Sequence, residues 1–184
     1  MAPAAPTKLI FSSSIEALLK VSTGKVSPEI ARALGEMKLG PPHKTLPAYP
    51  AEDWARAVKL VSADLWPKLQ PDEQHRQLGR ATVLQFADTL MGKAMFAAAR
   101  VIGARRSLER MTHNLRTGAN FIETRFTVLD DSHQELWIND VTDVPGFYAG
   151  LIGAGADYMQ GWSDRIEIKS REGAACTYLL TRTR

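Results

Sequence analysis

The chain has 184 residues, of which 45% are hydrophobic and 23% charged, so it is long enough to bury a sizeable core and has the composition of a globular protein. Its formal net charge of +3 is too small to indicate nucleic-acid binding by itself. No apolar run reaches the length of a membrane-spanning helix. The single cysteine, Cys176, excludes an internal disulfide and a cysteine-rich zinc site, and it favours a cytoplasmic location.

The N-terminal sequence MAPAAPTK lacks the basic and apolar segments of a secretory signal. We expect a disordered tail over residues 1–8, followed by a single α+β domain over 9–184. Within that domain, 9–118 is predicted to be helical and 119–184 to contain the strands.

Start and stop signals divide the helical part into five predicted helices. Ser27, Pro28 and Glu29 form the best start signal, with a capping hydroxyl, a proline in the first turn and an acid near the helix N-terminus. The longest predicted helix is apolar on nearly all sides in its second half, so we expect it to be central. The predicted helices cover about 15–20, 28–40, 51–65, 71–102 and 104–116.

From Asn120 the hydrophobic period changes to two, which is typical of strands with one buried face. The predicted fold is therefore an N-terminal helical layer packed on a four-stranded antiparallel sheet, with the order ββαββ in the C-terminal part. The predicted strands lie at about 122–128, 135–139, 165–169 and 176–181.

A glycine-rich helix is predicted over 144–160, between the two strand pairs. Gly146, Gly150 and Gly153 line one edge of it, while a second edge is apolar and larger. Because glycine inside a helix costs about 1 kcal/mol relative to alanine, this edge requires a compensating contact. The edge either packs against the backbone of the long helix or is free for a partner, and we expect packing.

Catalytic patterns are poor in this sequence. The histidines lack mutual ligand spacing, and no zinc signature, nucleophile elbow or phosphate-binding loop occurs. The segment GLIGAGAD lies in a helix and lacks dinucleotide-loop spacing, and Cys176 on a strand is most simply a small buried residue. We expect neither catalysis nor a metal or cofactor. The four histidines are His43, His75, His113 and His133.

A cluster of arginines follows the long helix, with Glu109 as the only acid among them. Guanidinium groups suit phosphates and carboxylates, so contact with an anion or an acidic partner is one interpretation, and a solvated helix face is the other. Basic residues without interleaved aromatic residues argue against nucleic acid. The residues of this arginine cluster are Arg100, Arg105, Arg106, Arg110 and Arg116, of which the last four are the predicted contacts.

An apolar pocket between the long helix and the sheet is a third candidate site, although methionine and aromatic stripes usually form ordinary core. The long helix also contributes Phe96 to this region. The predicted lining residues are Phe86, Leu90, Met91, Met95, Phe126, Trp137, Phe147, Leu151 and Tyr158.

Several short segments in a fixed order resemble a family of uncharacterised small proteins that is expanded as paralogues in myxobacteria. The resemblance covers about residues 9–182 and implies no catalytic residue. Its motifs are AYP at 48–50 with Trp54, LGR at 78–80, RTGANF at 116–121 with Glu123, LWIND at 136–140 and FYAG at 147–150.

The final third is also similar to the ββαββ core shared by vinyl-reductase-type small-molecule-binding domains, haem-nitric-oxide sensors and TRAPP vesicle-tethering subunits. This resemblance implies a helical layer that encloses an apolar ligand or acyl chain, or that serves as a dimer surface. The chain lacks the cysteine pattern of the first group and the Tyr-x-Ser-x-Arg motif of the second. Zinc and haem are therefore not expected, and His113 is not assigned as a haem ligand.

The leading hypothesis is a non-enzymatic small-molecule-sensing or signalling-adaptor domain with an apolar pocket. The alternative is a protein-interaction module that acts through homodimerisation or partner docking without a small ligand. An enzyme of unrecognised type is the third hypothesis.

Overall fold

The computed structural model describes residues 7–158 and 163–183. Most of the expected N-terminal tail, and residues 159 and 160 at the end of the predicted glycine-rich helix, lie outside the described residues. Within the described ranges the helices are α1 (Ser12–Ser22), α2 (Pro28–Glu36), α3 (Ala51–Leu65), α4 (Pro71–Ala87), α5 (Leu90–Ile102), α6 (Ala104–Glu109), α7 (Met111–Arg116) and α8 (Pro145–Tyr158). The strands are β1 (Leu9–Phe11), β2 (Ala48–Pro50), β3 (Thr124–Val128), β4 (His133–Ile138), β5 (Ser163–Glu172) and β6 (Ala175–Thr183).

The main sheet is antiparallel throughout, with the strand order β3-β4-β6-β5. Along the chain, its strands and helix α8 follow the order β3, β4, α8, β5 and β6. The predicted α+β class, the four-stranded sheet and the ββαββ order are therefore confirmed. Alternate residues of β4 are buried, as the period of two requires. A second, two-stranded sheet pairs β1 antiparallel with β2, the strand that immediately precedes α3.

Side-chain capping explains where α2 begins but not where α1 begins. The Ser27 hydroxyl accepts a hydrogen bond from the Ile30 amide at 3.4 Å, which confirms the predicted cap of α2. The first helix begins earlier than predicted, at Ser12, and has no side-chain cap. The hydroxyls of Ser13 and Ser14 donate to backbone carbonyls at 117 and 118.

The long helix predicted over 71–102 is two helices, α4 and α5, separated at Asp88 and Thr89. The Thr89 hydroxyl donates to the Phe86 carbonyl at 2.7 Å and accepts from the Gly92 amide at 3.0 Å, so it ends one helix and caps the next. A Cβ on Gly92 would lie 2.7 Å from the Phe86 carbonyl carbon, which explains the glycine there. The predicted helix over 104–116 is likewise divided, at Arg110, into α6 and α7.

The main core lies between the helices and the inner face of the main sheet, and α8 is its central element. Helix α8 contacts α4 on one side and β5 on the other. The ring of Trp54 meets those of Phe147 and Tyr148 edge-on, with centroid distances of 5.1 and 6.3 Å. The Tyr178 hydroxyl donates to the Pro145 carbonyl at 2.9 Å, so the sheet also fixes the first turn of α8.

Three glycines allow α4 and α8 to touch backbone to backbone. A Cβ added to Gly79 or Gly146 would lie 2.9 Å from a carbonyl carbon of the facing helix, and one added to Gly150 would lie 2.8 Å from that of Arg76. Real Cβ atoms do not approach this closely, so any larger residue would force the helices apart. The prediction that the glycine edge packs against the long helix is thereby confirmed for Gly146 and Gly150, whereas Gly153 faces Ile166 of β5 at an ordinary distance of 3.6 Å.

No helix in the described part of the chain is long and apolar enough to cross a membrane.

Candidate functional site

The space in which the pocket was predicted, between the long helix and the sheet, is filled by α8. This helix lies in backbone contact with α4 at Gly79 and Gly150 and also contacts β5. A ligand therefore has no gap to occupy between α4 and α8 at their crossing. The apolar surface that remains lies further along these helices, where their C-terminal halves meet α5.

A second apolar cluster, which meets the main core at Leu151, lies at this meeting point. Phe96 of α5 stacks on Tyr158 of α8 with a centroid distance of 4.8 Å, and it meets Phe86 of α4 edge-on at 6.4 Å. We call this group the aromatic cluster. Its buried members are Val83, Ala87, Phe96 and Ala154, and its partly buried members are Phe86, Leu151 and Tyr158.

The structure brings together three of the predicted lining residues, Phe86, Leu151 and Tyr158, in the aromatic cluster. Phe147 and Phe126 pack instead against the main core. Small residues complete the aromatic cluster, and sequence reasoning did not assign them to a site because alanine and valine carry no binding signal. These are Val83, Ala87 and Ala154.

Three other predicted lining residues lie elsewhere. Trp137 is on the outer face of the sheet, because β3 pairs Phe126 with Leu136 and Arg125 with Trp137. The Arg125 guanidinium covers the Trp137 ring at 5.2 Å from its centroid, so Trp137 does not share a pocket with Phe126. Leu90 and Met95 are 88% and 42% exposed and therefore do not line an enclosed space. The side chain of Met91 is outside the described set.

Helix α5 covers the aromatic cluster but is thinly attached to the rest of the molecule. Among its side chains of described burial, only that of Phe96 is buried. An exposed hydrogen bond from Arg100 Nε to the Tyr158 carbonyl, 2.9 Å long, joins α5 to the end of α8. An element with few buried contacts and exposed hydrogen bonds opens at lower free energy than the core, so α5 is a candidate moving element.

The arginine cluster does not converge on one point. Arg105 pairs with Glu109 at 3.1 Å, while Arg116 pairs with Glu123 at 3.0 Å and donates to the Ile122 carbonyl. Arg106 and Arg110 are exposed and contact no carboxylate among the described residues. The structure therefore presents these cations along a solvated surface, and a built anion site is not formed.

Burial favours the neutral forms of two titratable groups, His75 and Cys176. Burial lowers the pKa of the His75 imidazole and raises the pKa of the Cys176 thiol. A protonated thiol is a poor nucleophile, which agrees with a packing role for Cys176. In the described part of the chain, no group of three or more His, Cys, Asp or Glu side chains is placed to hold a metal ion.

Solved structures with the same arrangement of helices and sheet are H-NOX proteins. A mutant of the Fe(II) unliganded H-NOX protein from K. algicida is 11% identical, with a TM-score of 0.71 over 95% of this chain and 97% of that one. A mutant H-NOX from T. tengcongensis is 15% identical, with a TM-score of 0.61 over 94% of both chains. A structure solved to probe haem distortion in the H-NOX family is 15% identical, with a TM-score of 0.62 over 94% and 93%. The chain therefore has the H-NOX fold over nearly its whole length.

Residues 8–181 match the family described as a protein of unknown function, DUF2378, and the chain belongs to this family. The predicted membership of an uncharacterised family is confirmed at that level. No curated protein matches the chain.

None of the four histidines is placed to hold haem, which one of the H-NOX structures was solved to study, at the aromatic cluster. Haem iron is held by an axial side chain such as histidine, and all four histidines lie among the described residues. His43 and His113 are exposed, and His133 contacts the Asp130 carboxylate at 2.9 Å. His75 is buried away from the aromatic cluster. It interacts electrostatically with Lys59 of α3 and with Asp143 in the loop before α8. The described histidines therefore provide no axial ligand for haem at the aromatic cluster.

Proposed function

We propose that this domain is a non-enzymatic sensor of an apolar small molecule, which enters the aromatic cluster beneath α5. The observation that carries this proposal is the presence of a second apolar cluster, which meets the main core at Leu151 and is closed by a thinly attached helix. The H-NOX fold supports it, because one structure with this fold was solved to study bound haem.

The aromatic cluster is suited to an apolar ligand. Phe86 and Tyr158 remain partly exposed at its edge, and a ligand that displaces α5 there would reach Phe96 and Ala154. Each square ångström of apolar surface removed from water contributes about 25 cal/mol, so a compact aromatic or aliphatic molecule offsets the cost of moving α5.

In this proposal, ligand binding moves α5, and this movement transmits the signal. The Arg100 bond to the Tyr158 carbonyl and the Phe96 ring join α5 to α8, and both are next to the proposed ligand site. A ligand that binds better to one position of α5 shifts the population toward that position. In this proposal the domain acts as a cytoplasmic signalling adaptor and signals through the surface that α5 presents.

The absence of catalysis is part of the proposal. Among the described members of the aromatic cluster, the Tyr158 hydroxyl is the only polar side-chain group. General acid–base or nucleophilic chemistry requires a paired base or acid within hydrogen-bond reach, and the cluster supplies none.

A fluorescent probe tests this proposal. We expect N-phenyl-1-naphthylamine to bind one site per chain with a saturable rise in fluorescence. Ala154→Leu and Ala87→Leu fill the cluster from α8 and from α4, and each should weaken probe binding at least about tenfold because no room is left for the ring. Circular dichroism would verify that each variant folds.

Gly155→Ala is the matched control, because a Cβ there meets no atom within 4 Å. It should leave the affinity for the probe unchanged. A wild-type protein that gives no saturable fluorescence, or folded filling variants that bind the probe as tightly as the wild type, would overturn the proposal.

The exposed side of α5 favours a second candidate function, a partner-docking module that needs no small ligand. Leu90 and Val101 on this helix are almost fully exposed. Homodimerisation through the glycine edge of α8 is not part of this candidate, since Gly146 and Gly150 are covered by α4.

A further inference from the structure

Helix α5 has an apolar stripe that faces solvent. Leu90 and Val101 lie about three turns apart on the same side of the helix and are 88% and 87% exposed. Ala94 and Ala97 lie between them on that side, and both are exposed. We call these four residues the outer face of α5. A helix that is apolar on all sides is normally buried. The outer face is instead an exposed apolar surface, which is typical of a binding site.

The outer face has a basic edge. Lys93 and Arg100 lie two turns apart along one side of the stripe, and both are exposed. The sequence of α5, LMGKAMFAAARVI, contains no acidic residue. Arg106, which follows on α6, adds an exposed cation without a carboxylate partner among the described residues. The surface thus combines an apolar stripe with uncompensated positive charge.

We propose that the outer face of α5 docks an amphipathic helix of another protein, whose apolar stripe is flanked by Asp or Glu. Ala94 and Ala97 make the centre of the stripe flat, so a second helix can approach closely between Leu90 and Val101. Acidic residues beside its apolar stripe would pair with Lys93 and Arg100. Such complementary charges select the partner and accelerate encounter more than they add affinity.

A second copy of the chain fits this surface less well. Symmetric pairing of two α5 helices would place Lys93 and Arg100 of both copies along one seam, with no acid on either helix to neutralise them. A helix of 13 residues is about 20 Å long, and one helix-on-helix contact of that length buries far less than the roughly 1,200 Å² typical of stable complexes. Docking of any single helix on the outer face of α5 is therefore expected to be transient.

A membrane surface also fits less well. Helices that lie in the membrane interface insert Trp, Phe and Leu, whereas two of the four residues of the outer face are alanine. Among the described residues, the apolar stripe and Lys93 are not part of the aromatic cluster, whereas Arg100 also donates to the Tyr158 carbonyl, so docking on the stripe does not require a ligand in the cluster. Probe binding to the aromatic cluster and peptide docking on the outer face of α5 can therefore fail independently of each other.

Fluorescence anisotropy with two synthetic helical peptides tests the proposal. Both peptides carry the same Leu/Ala stripe, which is flanked by Glu in one and by Lys in the other. We expect the full chain to bind the Glu peptide at least about tenfold more tightly than the Lys peptide. Val101→Glu should weaken binding of the Glu peptide at least about tenfold, and Lys93→Glu should reduce the preference for it several-fold.

Leu129→Glu is the control, because Leu129 is a 51% exposed apolar residue in the β3–β4 turn, away from α5. It should bind both peptides like the wild type. Equal affinity for the two peptides, or unchanged binding in folded Val101→Glu, would overturn the proposal. So would concentration-dependent dimers that Val101→Glu abolishes in light scattering, or vesicles of 30% phosphatidylserine that bind the chain when the Glu peptide does not.

Discussion

His75 is buried in the helical layer with its Nδ1 atom unpaired among the described residues. Loss of hydration is the main cause of its lowered pKa, and the cations Lys59 and Arg171 act in the same direction. The carboxylates of Asp72 and Asp143 oppose this shift but do not overcome it. The imidazole is therefore neutral in the folded protein at pH 7.

This environment predicts a loss of stability in mild acid. Below the unfolded pKa of 6.5 the unfolded chain takes up a proton at His75 that the folded chain does not, so the free energy of unfolding should fall between about pH 7 and 5. Urea unfolding of His75→Gln should show a smaller fall over that range. His43→Gln, at an exposed position, should keep the wild-type pH dependence. An identical fall in wild type and His75→Gln would contradict this account.

At the residue scale, the sequence predicted the alternation along each strand but not which side chains of neighbouring strands share a face. The predicted period of two holds along β4, where Leu136 and Ile138 lie on the buried face and Trp137 on the other. The predicted pocket nevertheless combined Trp137 with Phe126, which the register places on opposite faces. The sequence does not specify which strands pair, and the cover that Arg125 gives to Trp137 follows from that pairing.

At the scale of elements, the crossing of α4 and α8 was the most predictable contact. Glycines spaced along one edge of α8 require a compensating close approach, and the facing helix carries Gly79 for the reciprocal contact. The break between α4 and α5 was less predictable, because the apolar pattern continues through it. The break depends on the Thr89 cap and on the contact of Gly92 with Phe86, which are specific to the folded chain.

Two glycines of α8 provide a matched test of this packing. Gly150→Ala would place a Cβ 2.9 Å from the Arg80 amide nitrogen, so we expect the free energy of unfolding to drop by at least about 2 kcal/mol. Gly150→Leu should not fold. Gly155→Ala meets no neighbour and should raise stability by up to about 1 kcal/mol, because alanine favours the helix. Urea melts that shift in the same direction for both alanine variants would contradict the packing.

At the scale of the whole molecule, the ββαββ order was predicted correctly. The proposed ligand site, however, is the aromatic cluster and not the predicted pocket between the long helix and the sheet. Helix α8 fills the space between α4 and the sheet that was assigned to a ligand, and the residual apolar surface lies where α5 folds back over α4 and α8. That return depends on the break at Asp88 and Thr89. The aromatic cluster therefore could not be located from helical periodicity alone, although Phe86, Leu151 and Tyr158 were among its predicted members.

The central claim is that an apolar ligand binds beneath α5, between Phe96 and the ends of α4 and α8. Hydrogen–deuterium exchange measured by mass spectrometry, with and without saturating N-phenyl-1-naphthylamine, tests it most directly. We expect slower exchange in peptides covering Leu90–Ile102 and no change in Ala51–Leu65, which belongs to the main core. Unchanged exchange in α5 at saturating probe, or protection confined to the main core, would contradict the claim.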